Sequence, residues 1–415
     1  MSTTAQRRPP REPGAASASW FAAVREALDR PLTSYHLVLG VGTLLLALGV
    51  VMVQSASSVT SYTTYGSSWF VFSKQMIWVA AGLPAALVAS RLPLRVIRLA
   101  AYPALALAIV LLALTFVPGL GVEVNGNQNW LSFGGPFTIQ PSEIAKLALV
   151  LWVADLFARK EKVLHDPKHL LVPMLPVALL VAMIVVAQRD LGTALVLFAI
   201  ITGLLWVAGL PMKIFVVFMG ALAAVVTFFA ASDEVRVKRL LGFRDPFADI
   251  HDGGWQAAHG LMGLASGQFW GVGLGASRQK WGTLPEAHTD FIFAVIGEEL
   301  GLFGTLVVLA LFVLLAYSGL RIATRTTEPF IRFAAAGITV WLLAQALINL
   351  GMVLGVLPVI GIPLPLISYG GSALLPTLVA IGLLVGFARR EPGAQAALKA
   401  AKRRRSAPSQ PARGR

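Results

Sequence analysis

Apolar runs of about 20 residues recur along this chain, and each is long enough to cross a bilayer as an α-helix. Of the 415 residues, 56% are hydrophobic and only 13% are charged, whereas a soluble domain carries roughly 25% charged residues. A chain in lipid must satisfy its backbone hydrogen bonds internally, and a helix does so. The sequence therefore predicts an all-α polytopic membrane protein.

The apolar runs predict ten transmembrane helices. They fall at about 36–54, 75–90, 98–117, 141–157, 169–187, 191–209, 213–231, 290–318, 331–353 and 373–388. Ten spans place both termini on one side of the membrane. Most of the 34 Lys and Arg residues lie on that side, which the positive-inside rule assigns to the cytoplasm.

Two basic tails are predicted to flank a single membrane domain. Residues 1–34, rich in Arg, Pro, Ala and Ser, predict a disordered cytoplasmic tail and not a cleaved signal. Residues 35–390 are predicted to form the ten-helix membrane domain, and residues 391–415 a second disordered cytoplasmic tail. The basic cluster 402–405 is either an orientation signal that contacts anionic lipid or a docking site for a cytoplasmic partner. The net charge of +14 therefore requires no nucleic-acid partner. The absence of cysteine excludes disulfide and thiolate chemistry.

Three unusual segments are predicted on the outer side. Segment 118–140 is rich in Gly and Asn, and segment 232–289, between spans seven and eight, is the largest loop. Segment 354–372 is nearly all apolar, yet its three prolines forbid a regular helix. An apolar, helix-breaking loop is typical of a re-entrant segment packed against other helices. Together, these segments would roof a cavity open to the outer leaflet.

Ionisable residues cluster where the eighth span begins. Glu286, His288 and Asp290 precede the apolar run, and Glu298 and Glu299 lie within it. Such groups are costly to desolvate in a membrane, so they mark a functional site.

Asp290 itself has two interpretations. With Thr289 as N-cap, Asp290 in the first turn would stabilise the helix start by roughly 0.5–2 kcal/mol. Alternatively, a buried carboxylate at this level could serve as a general base. His259 and His288 lack the ligand spacing of a zinc site, so no metal–histidine centre is predicted.

Two further sets of polar residues, one on the fourth span and one in a turn, are predicted on the outer side of the membrane. Glu143 and Lys146 share a face of the fourth span. They form either a self-neutralising pair or a site in which Lys146 holds an anionic substrate and Glu143 positions it. Asp190 lies in a tight turn between two spans, where it is either a helix cap or part of the site.

Three motifs in this order resemble the SEDS family of bacterial cell-wall polymerases. They are Q-P-S-E-I-A-K at 140–146, L-P-E-A-H-T-D-F-I-F-A from Leu284, and P-L-P-L-I-S-Y-G-G-S at 363–372. The similarity covers about residues 35–390. The form P-E-A-H-T-D resembles the division branch of the family more than the elongation branch.

The sequence departs from the family pattern at two places. Arg189 stands where the family usually has proline in Q-P-D-L-G-T. The family's usual Gln-Ser pair is replaced in the stretch Trp255–Gly260. Both departures leave Asp290 in place.

The resemblance implies a peptidoglycan glycosyltransferase that polymerises lipid II at the outer face of the bacterial cytoplasmic membrane, at the division septum. Asp290 corresponds to the family's essential aspartate and is the predicted base. The predicted substrate-binding residues are Trp130, Gln140, Glu143, Lys146, Arg239 and Ser368. Lys146 and Arg239 would offset the charge that develops on the leaving pyrophosphate. A divalent cation, Mg²⁺ or Mn²⁺, is a candidate cofactor, and no nucleotide or organic cofactor is expected.

The implied partners are lipid II, the nascent glycan strand, a class B penicillin-binding protein that acts as transpeptidase, other divisome proteins and membrane lipids. The alternative function is a lipid II flippase. A flippase should distribute polar groups through the membrane depth and often has inverted repeats, and we find neither in this sequence. A scaffold that only activates a partner enzyme is a third possibility.

Overall fold

The computed structural model of the protein describes residues 29–124, 126–132, 138–231 and 254–406, together with residues 22, 26, 134, 245–248 and 250. These residues form twelve α-helices, three short strands and one 3-10 turn. The helices are α1 (Thr33–Tyr65), α2 (Phe70–Arg91), α3 (Leu94–Leu114), α4 (Pro141–Arg159), α5 (Pro167–Ala187), α6 (Leu191–Val207), α7 (Met212–Ala231), α8 (Trp255–Ser266), α9 (Ile292–Arg325), α10 (Pro329–Val353), α11 (Gly371–Ala388) and α12 (Pro392–Ser406). The strands are β1 (Gly121–Val124), β2 (Asn127–Ser132) and β3 (Thr138–Ile139).

Ten of these helices lie at the positions of the ten predicted spans. Among the described residues, seven are both long enough and apolar enough to cross a membrane: α1, α2, α3, α5, α9, α10 and α11. Helix α6 is apolar but has only 17 residues, and α4 carries Glu143, Lys146, Asp155 and Arg159. The protein is thus a multi-pass helical membrane protein.

The centre of the bundle is built from α4, α10 and α11, whose side chains are mostly buried. Helix α10 packs against α4, α6 and α9, while α11 packs against α1 and α2. The start of α1 and the end of α9 lie together, because Arg321 donates to the carbonyl of Arg30 at 3.3 Å and Arg325 pairs with Asp29 at 2.6 Å. We call this the terminal end of the bundle and the opposite one the Asp290 end.

Two predicted boundaries are wrong. Helix α1 continues to Tyr65, well past residue 54, because tertiary contacts hold its polar last turns: Ser55 donates to Glu299, and Ser61 donates to the carbonyl of Ser67. A disordered tail was predicted from residue 391, but 392–406 form α12. The tail begins with proline at the helix start and is rich in alanine, which is the best helix former. Residues 407–415, and most of 1–28, lie outside the described residues.

Helix α9 is broken within its first third, at Gly301. Gly301 has φ 68° and ψ −166°, which glycine adopts without steric cost. The backbone of a preceding loop fills the gap: Val272 and Gly273 donate to the carbonyls of Glu298 and Glu299 at 3.0 and 3.1 Å. The break therefore joins the large loop to the transmembrane helix.

Segment 118–140 contains the only sheet that the described residues form. The order is β1-β2-β3, and both pairings are antiparallel, with Trp130 opposite Val122. The amide of Gln128 donates to the carbonyl of Gln188 at 3.1 Å, which attaches the sheet to the turn between α5 and α6. The sheet therefore covers the Asp290 end of the bundle on this side.

Candidate active site

The predicted re-entrant segment is non-helical and packed inside the bundle. Residues 354–370, which we call the re-entrant segment, contain turns and extended chain between α10 and α11. Helix α1 approaches it so closely that a Cβ at Gly49 would lie 2.5 Å from the carbonyl oxygen of Leu366. Helix α6 does the same at Gly192, where a Cβ would lie 2.8 Å from the oxygen of Ile360. The prediction that this apolar, proline-rich stretch packs against helices is confirmed.

The backbone around Asp290 is fixed by this segment and by α10. The side-chain amide of Asn349 donates to the backbone carbonyl oxygen of Asp290 at 2.7 Å and to that of Ile362 at 2.6 Å. The hydroxyl of Ser368 donates to the oxygen of Thr289 at 2.6 Å and accepts from the amide of Leu364 at 2.7 Å. Ser368, predicted as a substrate-binding residue, thus positions the chain beside Asp290.

The carboxylate of Asp290 is only partly exposed, and no described residue donates a hydrogen bond to it. It lies against the backbone of Gly361, where a Cβ would come within 3.3 Å of Oδ2. Helix α9 starts at Ile292 with Phe291 at the N-cap position and no side-chain cap. The hydroxyl of Thr289 donates to Glu286 instead. The interpretation of Thr289 and Asp290 as a helix cap is therefore wrong.

The surroundings make Asp290 a weak acid. Burial, and then the negative charges of Glu286 and Asp190, raise its pKa to about 7. Burial lowers the pKa of the neighbouring His288. A carboxyl group with a pKa near the working pH exchanges a proton readily, as a general base must.

Asp190 forms the predicted cap and also joins three elements. It is the N-cap of α6, with Oδ1 accepting from the amide of Thr193 at 2.9 Å. Its Oδ2 accepts from the side-chain amides of Asn129 at 2.7 Å and Gln140 at 3.0 Å. Gln140, predicted to bind substrate, is therefore bound to Asp190. Trp130 follows Asn129 on β2 and is partly exposed.

Glu143 and Lys146 form the predicted pair in the interior of the protein. The ammonium of Lys146 lies 2.7 Å from Glu143 Oε1 and 2.9 Å from Gln345 Oε1, over the ring of Trp341. Lys146 is only 1% exposed, so no substrate can reach it in this conformation. Gln345 in turn donates to the carbonyl of Pro363 at 3.0 Å. The pair therefore supports the re-entrant segment through Gln345.

Gln345 and Asn349 are site residues that were not predicted from the sequence. The signal for them was present, since Trp341, Gln345 and Asn349 recur every four residues and share one face of α10. Polar residues at that spacing in an apolar span indicate a polar face turned inward. Arg239 lies outside the described residues.

Comparison with known proteins agrees with the motifs in this site. Residues 35–392 match the FtsW/RodA/SpoVE family of cell cycle proteins. The chain belongs to this family. Probable peptidoglycan glycosyltransferases FtsW from Mycobacterium tuberculosis and Geobacter metallireducens are 44% and 38% identical. The first alignment covers 90% of this chain and 71% of the relative, and the second 83% and 92%.

Solved structures of the FtsW/RodA/SpoVE family have the same fold. One is described as showing structural coordination of polymerization and crosslinking by a peptidoglycan synthase complex; it is 28% identical with a TM-score of 0.68, and the alignment covers 86% of this chain and 98% of that chain. The rod shape determining protein RodA of Thermus thermophilus is also 28% identical, with a TM-score of 0.62 and coverages of 86% and 96%. The polytopic architecture is thus that of the family.

Two places where this chain departs from the family pattern have structural consequences. Arg189 has φ 65°, a value that the ring of proline excludes, so this turn differs from one with proline. In α8, Trp255 Nε1 donates to the carbonyl of Thr283 at 2.7 Å, and the Gln256 amide donates to that of Pro285 at 3.2 Å. Helix α8 therefore holds the chain that leads to Asp290 without the family's Gln-Ser pair.

The Asp290 end contains carboxylate groups that could be ligands for a divalent cation. Among the described residues, no group of three His, Asp or Glu side chains converges on a metal position. Mg²⁺ usually needs only one or two carboxylates and takes its other ligands from water and substrate phosphates. The hard carboxylate oxygen atoms of the exposed Glu286 fit that kind of site.

Proposed function

We propose that this protein is a peptidoglycan glycosyltransferase that polymerises lipid II at the outer face of the cytoplasmic membrane during septal wall synthesis. Relatives named FtsW, a division protein, support the activity and the division role. The observation that carries the proposal is the carboxylate of Asp290. It is partly open, accepts no hydrogen bond from the described residues, and has a pKa raised to about 7.

The proposal includes a topology in which all ten long helices cross the membrane. The terminal end, with Arg30, Arg325 and Arg389, would face the cytoplasm by the positive-inside rule. Asp290 would then lie at the outer face, where lipid-linked sugars are joined. The protein would be placed at the division septum.

In the proposed reaction, Asp290 accepts the proton of a sugar 4-hydroxyl as that oxygen attacks the anomeric carbon of the other substrate. The new glycosidic bond forms as the bond to undecaprenyl pyrophosphate breaks. Asp290 is the described residue best suited to this step, because its pKa is matched to neutral pH. General-base catalysis contributes roughly 10²–10⁴-fold in rate.

The predicted substrate-binding residues have two kinds of proposed role, direct contact with substrate and support of the site. Trp130 is partly exposed, so its indole ring has a face to offer a sugar. Arg239 remains a proposed ligand of the pyrophosphate. The other members of the predicted set shape the site through the contacts above: Gln140, Glu143, Lys146 and Ser368.

A divalent cation is part of the proposal. When bound, Mg²⁺ or Mn²⁺ would offset negative charge on the leaving pyrophosphate. Glu286 would hold it together with substrate oxygens, so that Asp290 keeps the free carboxylate that accepts the proton. The residues that position Asp290 are independent of the ion.

A class B penicillin-binding protein is the proposed partner, because crosslinking of the new strand must follow polymerisation. The related synthase complex, in which polymerization and crosslinking are coordinated, supports this pairing. Other divisome proteins would join the assembly.

The decisive experiment supplies the purified protein with fluorescent lipid II, alone and with the transpeptidase, and separates the products by electrophoresis. We expect glycan polymer. A parallel assay in vesicles measures lipid II movement between leaflets. Movement without polymer would favour the flippase, and polymer made only by the partner's own active site would favour the scaffold.

A further inference from the structure

A loop beside the active-site segment carries a row of exposed apolar side chains. Residues 268–281, which we call the 268–281 loop, follow α8 and precede the chain to Asp290. Its outward side chains are Phe269, Trp270, Val272, Leu274 and Trp281, and Trp270 is 75% exposed. The loop contains no acidic residue. Such a surface is unfavourable in water and is typical of a binding face.

The loop lies at a definite height on α9. Besides the two bonds at the helix break, the amides of Leu302 and Phe303 donate to the carbonyls of Gln268 and Phe269 at 2.9 and 3.1 Å. The ring of Trp270 lies 6.0 Å from that of Phe303. The first part of the loop is therefore level with the first turn after the break.

That level coincides with the edge of an apolar stretch as long as a bilayer core. Residues 302–320 of α9 contain no charged side chain, and Arg321 follows at the terminal end. At 1.5 Å per residue the stretch is about 28 Å long, close to the ~30 Å of hydrocarbon in a membrane. At the Asp290 end, this apolar stretch of bilayer length begins at Leu302 and Phe303.

The outward side chains are held by a buried polar cluster behind the loop. Glu298 accepts from the amide of Arg278 at 2.9 Å and from Ser277 Oγ at 2.5 Å. Glu299 accepts from Ser55 on α1 at 2.7 Å and from the ammonium of Lys280 at 3.2 Å. Both carboxylates are 1% exposed. The chain thus fixes the loop in the shape that exposes its apolar side.

We propose that the 268–281 loop is an interfacial anchor, whose aromatic and aliphatic side chains enter the headgroup boundary of the leaflet at the Asp290 end. Its apolar face continues that of α9, where Leu302, Phe303 and Leu306 are exposed on the surface. Tryptophan favours this boundary, since its ring is apolar and its N–H is polar. The exposed Arg278 is suited to lipid phosphates.

The anchor sets the height of the catalytic segment above the lipid. The chain runs from the loop through Thr283 and Pro285, both held by α8, to Asp290. A lipid-linked substrate presents its pyrophosphate at the same boundary. Fixing the loop there keeps the carboxylate at the level of the reacting sugar.

The absence of cysteine permits a direct test by site-directed spin labelling. Trp270→Cys and Leu274→Cys proteins are labelled with a nitroxide in lipid nanodiscs, and collisions with oxygen and with a water-soluble nickel complex are measured. Leu83→Cys, exposed within α2, provides the hydrocarbon reference, and Glu123→Cys, exposed on β1, the aqueous one. We expect both loop labels to report a depth between the references.

Labels as accessible to nickel as Glu123→Cys would overturn the anchor. A second arm adds the transpeptidase. If the labels become inaccessible to both reagents only then, the face is a protein-docking site and the proposal fails. An interfacial depth that is unchanged by the transpeptidase supports it. The measurement needs no enzymatic activity, so its outcome is independent of the proposed reaction.

Discussion

Two groups of charged side chains adjoin the re-entrant segment, and they differ in how many hydrogen bonds and opposite charges they meet. Lys146 and Glu143 neutralise each other, and Lys146 also donates to Gln345. Asp290 receives no hydrogen bond from the described residues and faces the charges of Glu286 and Asp190. A paired charge in a membrane protein maintains structure, whereas a carboxylate left without a partner retains the capacity to react.

The two groups are also linked through one element. Gln345 connects the ion pair to Pro363, and four residues along α10, Asn349 connects Ile362 to Asp290. The re-entrant segment therefore rests on both. The buried pair thus supports the frame in which the reactive group is held.

The largest effect is expected from Asp290→Asn, because asparagine cannot accept the proton. Polymer formation should fall roughly 10²–10⁴-fold, with expression and partner binding intact. The matched control is Asp166→Asn, at a true cap that accepts from the amide of Lys168 at 3.0 Å. Asn caps about as well as Asp, so that variant should be fully active. Polymer yields are measured from the same amount of folded protein, and near-normal yield from Asp290→Asn would remove the catalytic assignment.

The second effect concerns stability. Lys146→Met should leave Glu143 as an unpaired buried charge, which costs about 3–5 kcal/mol. The double variant Glu143→Gln/Lys146→Met removes both charges and should regain most of the melting temperature and activity. The control is Arg332→Met, whose pair with the exposed Glu161 is worth about 0–1 kcal/mol. Thermal unfolding in detergent is followed beside polymerisation. A stable but inactive double variant would show instead that Lys146 itself holds the substrate.

A third, smaller effect tests the link between the groups. Asn349→Asp replaces a donor by an acceptor that faces the carbonyls of Asp290 and Ile362. Displacing the catalytic carboxylate by about 1 Å costs on the order of 10²-fold in rate, so kcat should fall while KM for lipid II changes little. Thr339→Val removes a buried hydroxyl elsewhere on α10 and serves as control. A rise in KM with unchanged kcat would show that Asn349 binds substrate.

Much of the fold was predictable, because twenty-residue apolar runs have few alternatives in a membrane. Ten helices lie where the runs are, and α4 begins at Pro141, where the fourth span was predicted to begin. Two features that were not predicted depend on tertiary contacts. They are the extension of α1 to Tyr65 and the break in α9 at Gly301, where the backbone of a loop is hydrogen-bonded to the helix. Local sequence does not specify which distant backbone will fill such a gap.

The candidate site was predictable in its residues but not in its geometry. Asp290 was identified from a carboxylate at a membrane boundary, and Asp190 from turn chemistry. Their proximity, 100 positions apart, follows only from how α6 packs beside the re-entrant segment. Likewise, the spacing of Glu143 and Lys146 predicted their pairing, but not that Gln345 would complete it.

The smallest expected effect is a shift in the pH dependence of polymerisation. It tests how the charges near Asp290 set the pKa of that carboxyl group. Asp290 acts as a base only when deprotonated, so activity should rise with pH through about 7 and be low below that value. Glu286→Gln removes a like charge that helps to raise the pKa of Asp290, so the rising limb should move to lower pH. Glu328→Gln, exposed at the terminal end, should leave it in place. Because Glu286 also affects the pKa of His288, both profiles are repeated with His288→Asn, and the shift should persist. An inflection that stays fixed in Glu286→Gln, or disappears with His288→Asn, would mean that a group other than Asp290 controls the rate.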